Sequence, residues 1–355
     1  MQINIVEYAE NYLNYEKTTD GYFMFQRFLE EQKEAYQLND MYRNGYQATT
    51  GVRLRFMTNG DRVQIQGRVT FIKTGILFFF MQPTTHYQEI GKCKKRIPPK
   101  GTKFRNAEEI ENTGFELVVD GSSQGHRTIE NGSCSFPFMN PNHEWKEVTI
   151  YLPQNAMGEV KAVEVNGEVK KAKAKNGKLL SLGDSITAGR IGRFASNSYV
   201  MQLAEKLQME ALNQGVPGYT FYSDSLSGLE KLTFEPQLIT IAYGTNDWNF
   251  APNRECVQEN IQKYFAQIQN LFPETPKVVI TPIWRADEEK PSYYGTITEI
   301  REYISRDAKA MQHVTVVAGD ELLPHDRELY RDRYVHPDDN GQRLYAEHLY
   351  QKLVH

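Results

Sequence analysis

The pattern of hydrophobic and polar positions changes near the middle of the chain, and the two halves predict different structures. In the first half, short runs alternate apolar and polar residues, and turn-forming pairs such as Asp120-Gly121 and Asn166-Gly167 separate them. Short strands with little helical pattern between them favour an all-β sandwich of the jelly-roll kind. The runs that predict strands lie at Val52–Gly67, Ile76–Met81, Phe115–Val119, Val148–Leu152 and Val160–Val165.

Asn59-Gly60 interrupts the first of these alternating runs. Because Asn-Gly supplies the two positive-φ positions of a type I′ turn, the sequence predicts a β-hairpin at this point. The preceding segment, Tyr22–Tyr36, fits either a short helix or a loop, and its pattern does not decide between them.

From Lys178 onward, apolar runs alternate with amphipathic helices. One helix carries apolar residues from Val257 to Phe272 and another from Ile297 to Met311, both at the 3.6-residue period of a core-facing stripe. Alternating strands and helices predict a parallel sheet covered on both faces, with ligands at the carboxyl ends of its strands. The strand runs are Leu179–Leu182, Leu238–Ala242, Val278–Ile283 and Val314–Ala318, with a weaker one at Ala211-Leu212.

The lysine-rich segment Lys170–Lys178 separates the two halves and predicts a solvated linker. We therefore expect a β-sandwich over residues 1–170, a linker over 171–177 and an α/β domain over 178–355, which suits a chain of 355 residues. A second basic run, Lys92–Lys103, predicts a solvated loop. Neither run interleaves basic and aromatic residues as a nucleic-acid surface does.

Composition excludes several classes of protein. The chain has 41 basic and 45 acidic residues, a net charge of −4 that gives no field for nucleic acid or anionic membranes. Its longest apolar run is too short to cross a bilayer, so no membrane contact is expected. The first residues lack a basic stretch followed by an apolar one, which favours the cytoplasm over secretion. Three widely spaced cysteines, Cys93, Cys134 and Cys256, predict reduced thiols rather than disulfides or a zinc site.

Three segments that follow predicted strands carry residues suited to catalysis. Ser185 lies in Gly183-Asp184-Ser185-Ile186-Thr187, where a strand-to-helix turn exposes a hydroxyl beside free backbone N–H groups. Asn246 follows the central strand, and its neutral amide can donate to a developing oxyanion. His336 precedes the last helix, and Asp332 is the nearest upstream carboxylate able to fix its tautomer. Alone, each segment also fits an ordinary cap, turn or loop.

Together these segments resemble the sequence blocks of the SGNH (GDSL-type) hydrolases. GDSIT, G-x-N-D and D-x-x-x-H-P occur in the family order, and Asn213–Gly218 matches a further block. The resemblance covers Lys178–His355 and implies a flavodoxin-like parallel sheet flanked by helices. It implies that Ser185 is the nucleophile and His336 the general base, and that the backbone N–H groups of Ser185 and Gly218 and the Asn246 side chain form an oxyanion hole. It implies no metal and no organic cofactor.

The first half also resembles the β-sandwich that precedes the hydrolase domain in some bacterial members. The similar segments are Thr113–Leu117 and Glu147–Pro153. Because members with such a sandwich are often carbohydrate O-acetyl esterases, the resemblance implies hydrolysis of short acyl esters through an acyl-enzyme. The expected substrate is a small molecule or an oligosaccharide carrying acetyl groups. The sequence leaves the oligomeric state open.

The chain departs from the family pattern beside the histidine. The family usually has D-x-x-H, but Arg333 stands three residues before His336 and Asp332 stands four before it. Either a small bulge restores the Asp–His contact or a backbone carbonyl orients the ring and leaves a dyad. The other motif carboxylates, Asp184 and Asp247, are expected to hold turns.

Pocket walls and rival functions remain open from the sequence. Trp248, Trp284 and Arg285 follow strand ends, where they would line a substrate pocket, and core packing explains the tryptophans equally well. One rival is a lysophospholipase or thioesterase, which needs an apolar channel that no lid-like segment suggests. The other is an inactive carbohydrate-binding protein, which only the irregular aspartate spacing favours.

Overall fold

The computed structural model describes residues 1–38, 40–70, 86–90, 93–97, 114–250 and 253–354. Antiparallel strands are the main elements in the described part of the first 171 residues. They are β1 (Ala9–Glu10), β2 (Asn14–Lys17), β3 (Phe23–Gln26), β4 (Arg53–Thr58), β5 (Arg62–Thr70), β6 (His86–Ile90), β7 (Cys93–Ile97), β8 (Phe115–Val119), β9 (Ser122–Arg127), β10 (Ser133–Pro137), β11 (Lys146–Tyr151), β12 (Met157–Val165) and β13 (Val169–Lys171).

Two sheets form the predicted β-sandwich. One has the order β1-β4-β11-β8-β9 with β13 also paired to β4, and the other has the order β10-β5-β12-β3-β2. Alternate residues of both sheets, such as Phe56 and Ile150 from one and Ile65 and Val163 from the other, are fully buried in one hydrophobic cluster. The alternating apolar residues of the sequence are therefore the ones that face this shared core.

The predicted hairpin at Asn59-Gly60 is wrong. β4 pairs with β1, β11 and β13, whereas β5 pairs with β10 and β12, so the connection crosses from one sheet to the other. The Asn140 amide donates to the Asn59 and Gly60 carbonyls at 3.2 and 2.9 Å and holds this corner in place of a hairpin ladder. Asp120-Gly121 does form a two-residue hairpin, because both residues have positive φ and join β8 to β9.

The second half is a parallel sheet of the predicted kind. Its strand order is β15-β14-β16-β17-β18, the 2-1-3-4-5 order of flavodoxin-like folds. Leu180 and Leu182 belong to the hydrophobic cluster on one face and Leu179 to the cluster on the other, as expected for a sheet covered by helices on both faces. The strands are β14 (Lys178–Gly183), β15 (Glu210–Gly215), β16 (Leu238–Ala242), β17 (Lys277–Ile280) and β18 (Val314–Val317).

The helices follow the predicted periodicity. α6 and α7 cover the two apolar stripes seen in the sequence, and α8 closes the chain. In chain order the helices are α1 (Ile5–Tyr8), α2 (Glu30–Lys33), α3 (Asp40–Gln47), α4 (Tyr199–Leu207), α5 (Thr245–Phe250), α6 (Arg254–Leu271), α7 (Ile297–Ala308) and α8 (Asp339–Val354).

Large side chains of the segment between β3 and β4 pack against the α/β half of the chain. Tyr22–Tyr36, which the sequence left undecided, contains β3, α2 and a 3₁₀ turn at Glu34–Tyr36. Phe28, Tyr36 and Tyr42 are buried in the same cluster as the β14 and β16 side chains. The fully buried guanidinium of Arg27 also donates to the Asn213 carbonyl on β15.

The basic segments are more ordered than predicted. β13 pairs with β4, and the Lys175 ammonium, on a side chain only 6% exposed, lies 2.6 Å from Glu205, so 171–177 is not a purely solvated linker. Strand β7 falls within the expected loop Lys92–Lys103 and pairs with β6. The rest of that loop, on either side of β7, lies outside the described residues, and so does the predicted strand Ile76–Met81.

Of the two cysteines whose side chains the structure describes, Cys256 differs from expectation. Cys134 is a half-buried free thiol, whereas Cys256 is disulfide-bonded, so the prediction of reduced cysteines is wrong for Cys256. In the described parts of the chain, no helix combines the length and the apolar character needed to span a membrane.

Candidate active site

Ser185 lies in a tight turn directly after β14. Asp184 shapes this turn, because its carboxylate accepts from the Ile186 N–H at 2.9 Å and its carbonyl accepts from the Ala188 N–H at 3.0 Å. Successive turns continue to Ile191, and α4 begins only at Tyr199. The sequence predicted a strand-to-helix turn, and the structure has a strand-to-loop turn instead.

A hydrogen-bonded relay joins three of the expected residues. Ser185 Oγ lies 2.9 Å from His336 Nε2, and His336 Nδ1 lies 2.6 Å from Asp332 Oδ2. All three side chains are at least nine-tenths removed from solvent. With Asp332 accepting from the Nδ1–H, the imidazole presents an unprotonated Nε2 to the serine hydroxyl, which is the tautomer a general base needs.

The four-residue spacing between Asp332 and His336 is accommodated by a looped backbone. Arg333 has a left-handed φ of 59°, and an isolated bridge between Tyr330 and Pro337 closes the loop. Asp332 Oδ1 accepts three backbone N–H groups, from Tyr334 and Val335 at 2.9 Å each and from His336 at 3.1 Å. The extra residue therefore leaves the carboxylate within reach of the ring.

Asp332 is poised to stay ionised. Burial alone raises its pKa, but the positive charge and hydrogen bond of His336 and the backbone N–H groups outweigh burial and lower the pKa to about 2. A carboxylate that remains charged through the neutral range can stabilise the imidazolium that forms when His336 takes a proton.

Two backbone N–H groups near the serine have no acceptor among the described residues. They belong to Ser185 and Gly218. Gly218 has a left-handed φ of 75°, a conformation that favours glycine, and a Cβ here would also displace the flexible end of the Met41 side chain. The Tyr42 hydroxyl donates to the Gly218 carbonyl at 3.1 Å, which ties α3 to this turn.

Asn246 lies at the start of α5 with its amide fully engaged. Its Nδ2 donates to Asp184 Oδ2 at 3.2 Å and to the Tyr219 carbonyl at 3.0 Å. The structure thus places Asn246 between the Ser185 turn and the Gly218 turn. Both N–H bonds of this predicted oxyanion donor are therefore hydrogen-bonded within the protein.

The two other motif carboxylates hold turns, in line with expectation. Asp247 accepts from the Phe221 and Gly244 N–H groups at 3.0 and 3.1 Å. Burial raises the pKa of Asp184 to about 7, although the Ile186 N–H and the charges of His336 and Arg285 act in the opposite direction. Across the part of the chain that the structure describes, no group of three acidic, histidine or cysteine side chains could hold a metal ion.

The expected pocket walls differ from one another. Trp248 is 2% exposed and its indole N–H donates to the Gly295 carbonyl, and Arg285 is 1% exposed with protein partners for every N–H. Neither side chain therefore offers substrate a free polar group. Trp284 is half-buried and stacks on His325 with ring centroids 5.5 Å apart.

Sequence reasoning missed the contacts that hold the site from a distance. Tyr42 from the first half and Asp287 and Tyr334 from the second carry no motif of their own. Asp287 lies two residues from its partner Arg285, but the partners of Tyr42 and Tyr334 lie more than 40 residues away, so local spacing could not have indicated those contacts.

Comparison with known proteins gives a family match for the second half of the chain. The family model for the GDSL-like Lipase/Acylhydrolase family matches residues 181–344. No curated protein matches the sequence. Among solved structures, the salicylyl-acyltransferase SsfX3 from a tetracycline biosynthetic pathway has a TM-score of 0.75 at 17% identity, covering 98% of this chain and 93% of that one.

Two further structures share the fold over nearly the whole chain. A candidate GDSL-like lipase from Bacteroides ovatus has a TM-score of 0.70 at 16% identity, covering 99% of this chain and 96% of that one. A family two carbohydrate esterase from Cellvibrio japonicus has a TM-score of 0.61 at 14% identity, with coverages of 98% and 94%. Residues 181–344 therefore match the GDSL-like Lipase/Acylhydrolase family, and this match, together with the shared fold, supports a carboxylic ester hydrolase.

Proposed function

We propose that the protein hydrolyses short-chain acyl esters through a covalent acyl-enzyme, and that its substrate is an O-acetylated carbohydrate. The observation that carries the mechanism is the relay of Ser185, His336 and Asp332, with heavy-atom separations of 2.9 and 2.6 Å. The carbohydrate substrate rests on the fold shared with the carbohydrate esterase and on the sandwich that both chains possess.

In the first half-reaction Ser185 Oγ attacks the ester carbonyl carbon. His336 Nε2 takes the hydroxyl proton and then delivers it to the departing alcohol, so that the acyl group stays on Ser185. In the second half-reaction the same nitrogen takes a proton from water, whose oxygen attacks the acyl carbonyl. The carboxylic acid leaves and Ser185 regains its proton.

The negative oxygen of each tetrahedral intermediate is stabilised by the N–H groups of Ser185 and Gly218, which have no other acceptor among the described residues. Asn246 supplies a third donor by sharing the N–H that otherwise faces the Tyr219 carbonyl. No step requires a metal or an organic cofactor.

A series of p-nitrophenyl esters from acetate to laurate, run beside peracetylated xylose and acetylated xylo-oligosaccharides, tests the substrate class. If the pocket suits acetyl groups, activity should fall steeply beyond butyrate, because a short pocket cannot admit added methylenes without overpacking. A maximum at octanoate or longer would replace this proposal with the lipid or thioester alternative.

Covalent catalysis is tested separately with a fluorophosphonate reagent. The reagent should inactivate the enzyme and add its mass to the peptide that contains Ser185, and Ser185→Ala should abolish both labelling and activity. Full activity of Ser185→Ala would refute the mechanism.

Transfer to an alcohol in place of water uses the same acyl-enzyme, and one structural relative is named as an acyltransferase. Adding an alcohol acceptor to the acetate reaction and quantifying new ester against free acetate distinguishes the two. We expect free acetate to dominate.

A further inference from the structure

Arg285 has the chemical character of a substrate-binding residue and the surroundings of a structural one. It follows β17 by five positions, and its side chain is 1% exposed. Nε donates to Asp287 Oδ1 at 2.6 Å, and Nη2 donates to Asp287 Oδ2 and to the Tyr334 hydroxyl, each at 3.3 Å. Nη1 donates to the Thr245 hydroxyl at 3.0 Å and carbonyl at 3.4 Å. All five N–H bonds are thus committed within the protein.

Aromatic rings enclose the same guanidinium. Its carbon lies 4.6 Å from the centroid of the Trp248 ring and 5.3 Å from that of Tyr334. The Tyr334 hydroxyl also donates to Asp287 Oδ2, so Arg285, Asp287 and Tyr334 form a closed triangle of hydrogen bonds. We call these three residues the clamp. Its buried charge is neutralised by Asp287, which makes the arrangement tolerable in a dry environment.

The clamp joins two turns that carry the reacting groups. Thr245 immediately precedes Asn246, the amide that bridges the serine and glycine turns. Tyr334 lies inside the loop between Asp332 and His336, and its carbonyl accepts from the Ala286 N–H at 2.9 Å. A shift of Arg285 therefore moves the histidine loop relative to the Asn246 turn.

We propose that Arg285, Asp287 and Tyr334 are positioning residues, which fix the His336 ring and the Asn246 amide in one geometry around the Ser185 hydroxyl. This inference rests on the proposed hydrolytic function. A displacement of about 1 Å between reacting groups can cost about a hundredfold in rate, so the clamp acts on the chemical step rather than on substrate affinity. The planar guanidinium of Arg285, with its five N–H donors, can reach all of these partners, whereas the ammonium group of a lysine cannot.

The chain offers a matched control for the arginine. Arg301 is also buried, and it donates to the Pro282 and Ile283 carbonyls at 2.8 and 3.0 Å and to Glu288 at 2.9 Å. It supports the same strand end, and its hydrogen bonds and ion pairs to described residues reach Pro282, Ile283, Glu288 and Asp320, outside the Asn246 turn and the histidine loop. For the tyrosine, Tyr293 is 75% exposed and serves as a neutral position.

The experiment compares Arg285→Lys and Tyr334→Phe with the controls Arg301→Lys and Tyr293→Phe. For each folded variant, kcat and KM for p-nitrophenyl acetate, the second-order rate of fluorophosphonate labelling of Ser185 and the thermal midpoint are measured. Arg285→Lys should lower kcat and the labelling rate about a hundredfold and Tyr334→Phe about tenfold, with KM changed less than twofold. Arg301→Lys should lower the midpoint but keep kcat within about threefold of wild type, and Tyr293→Phe should change nothing.

Tyr334→Phe keeps the ring on the guanidinium, so it preserves the fold even if Arg285→Lys does not. Wild-type kcat and labelling in folded Tyr334→Phe would overturn the clamp. A raised KM at constant kcat in Arg285→Lys would also overturn it, because that result makes Arg285 a substrate contact. Failure of the proposed function looks different, since the wild-type protein would then resist labelling at Ser185.

Discussion

The carboxylate of Asp332 performs two tasks with two different oxygens, and Asp332→Asn separates them. Oδ2 accepts from His336 Nδ1 at 2.6 Å, whereas Oδ1 accepts the backbone N–H groups of Tyr334, Val335 and His336. Asparagine keeps one oxygen for the three N–H groups and places an NH₂ against the ring. The ring must then accept at Nδ1, so Nε2 carries its proton toward Ser185 and can no longer take one.

Asp332→Asn should lower kcat strongly and should lower the free energy of unfolding at neutral pH less than Asp332→Ala does. An asparagine in this role costs up to about 10⁴-fold in serine proteases by enforcing the wrong tautomer, and we expect a loss of that order here. Asp332→Ala also strands three buried N–H donors, at about 1–3 kcal/mol for each donor left without a partner. Alanine should therefore both inactivate and destabilise, whereas asparagine should mainly inactivate.

Acid pH provides an independent measure of the same carboxylate. Its folded-state pKa of about 2, against an ordinary 3.8, corresponds to about 2–3 kcal/mol of stability. Because the folded-state pKa is the lower one, this contribution is complete above about pH 4 and is lost as the pH falls through 2. The acid-dependent contribution should be absent in Asp332→Asn.

The assay combines kcat for p-nitrophenyl acetate at pH 7–8 with urea unfolding at pH 7 and pH 3 for the wild type, Asp332→Asn and Asp332→Ala. A loss in kcat smaller than about tenfold in Asp332→Asn, with an unchanged acidic limb of the pH–rate profile, would refute the reasoning. Catalysis would then rest on a dyad of Ser185 and His336, with a backbone carbonyl orienting the ring.

Three further predictions follow from contacts around the site. Asn246→Ala should lower kcat about 10²–10³-fold with little change in KM. Asp247→Ala should instead lower the thermal unfolding midpoint, because it releases two turns. Purely kinetic effects of equal size in both variants would show that the roles of Asn246 and Asp247 are misassigned. Tyr42→Phe, which releases the Gly218 carbonyl, should lower kcat about fivefold at constant KM, and steady-state kinetics with wild-type values would contradict this. Deleting Met1–Lys170 should give a poorly soluble fragment that aggregates in size-exclusion chromatography, because the deletion uncovers apolar surface that α3 and its neighbours bury. A soluble fragment that loses activity only on polymeric or oligosaccharide substrates would indicate a carbohydrate-binding sandwich instead.

The sequence could predict the catalytic half well because its signals are local and its topology is restrictive. Carboxyl ends of parallel strands meet at one edge of the sheet, so residues following β14 and β16 were expected near one another before any contact was known. The positions of Ser185 and Asn246 follow from that rule and from the family resemblance. The loop that lets Asp332 reach His336 depends on the left-handed backbone of Arg333, and an arginine at this position does not predict that conformation.

Elsewhere tertiary packing overrode local preference. Asn59-Gly60 has the composition of a hairpin turn, yet the two strands it joins contribute to opposite walls of one core, and burying both apolar faces outweighs a local ladder. From the sequence, Arg285 is a polar residue that follows a strand, and this position predicts a substrate pocket. Its burial depends on Thr245 and Tyr334, which come from separate segments and meet the neighbouring Asp287, and spacing along the chain does not encode such a meeting.

The burial of the segment around α2 and α3 in the second half of the chain imposes an order on biosynthesis. Phe28, Tyr36 and Tyr42 leave the ribosome before the strands that share their hydrophobic cluster, among them β16 at Leu238–Ala242. At about 5–20 residues per second, the roughly 200 residues in between take on the order of 10–40 s to emerge. Throughout that interval three large aromatic side chains and the Arg27 guanidinium lack their final partners. The nascent sandwich therefore carries an open apolar patch while it waits, which makes this stage of synthesis a point for chaperone binding and for aggregation.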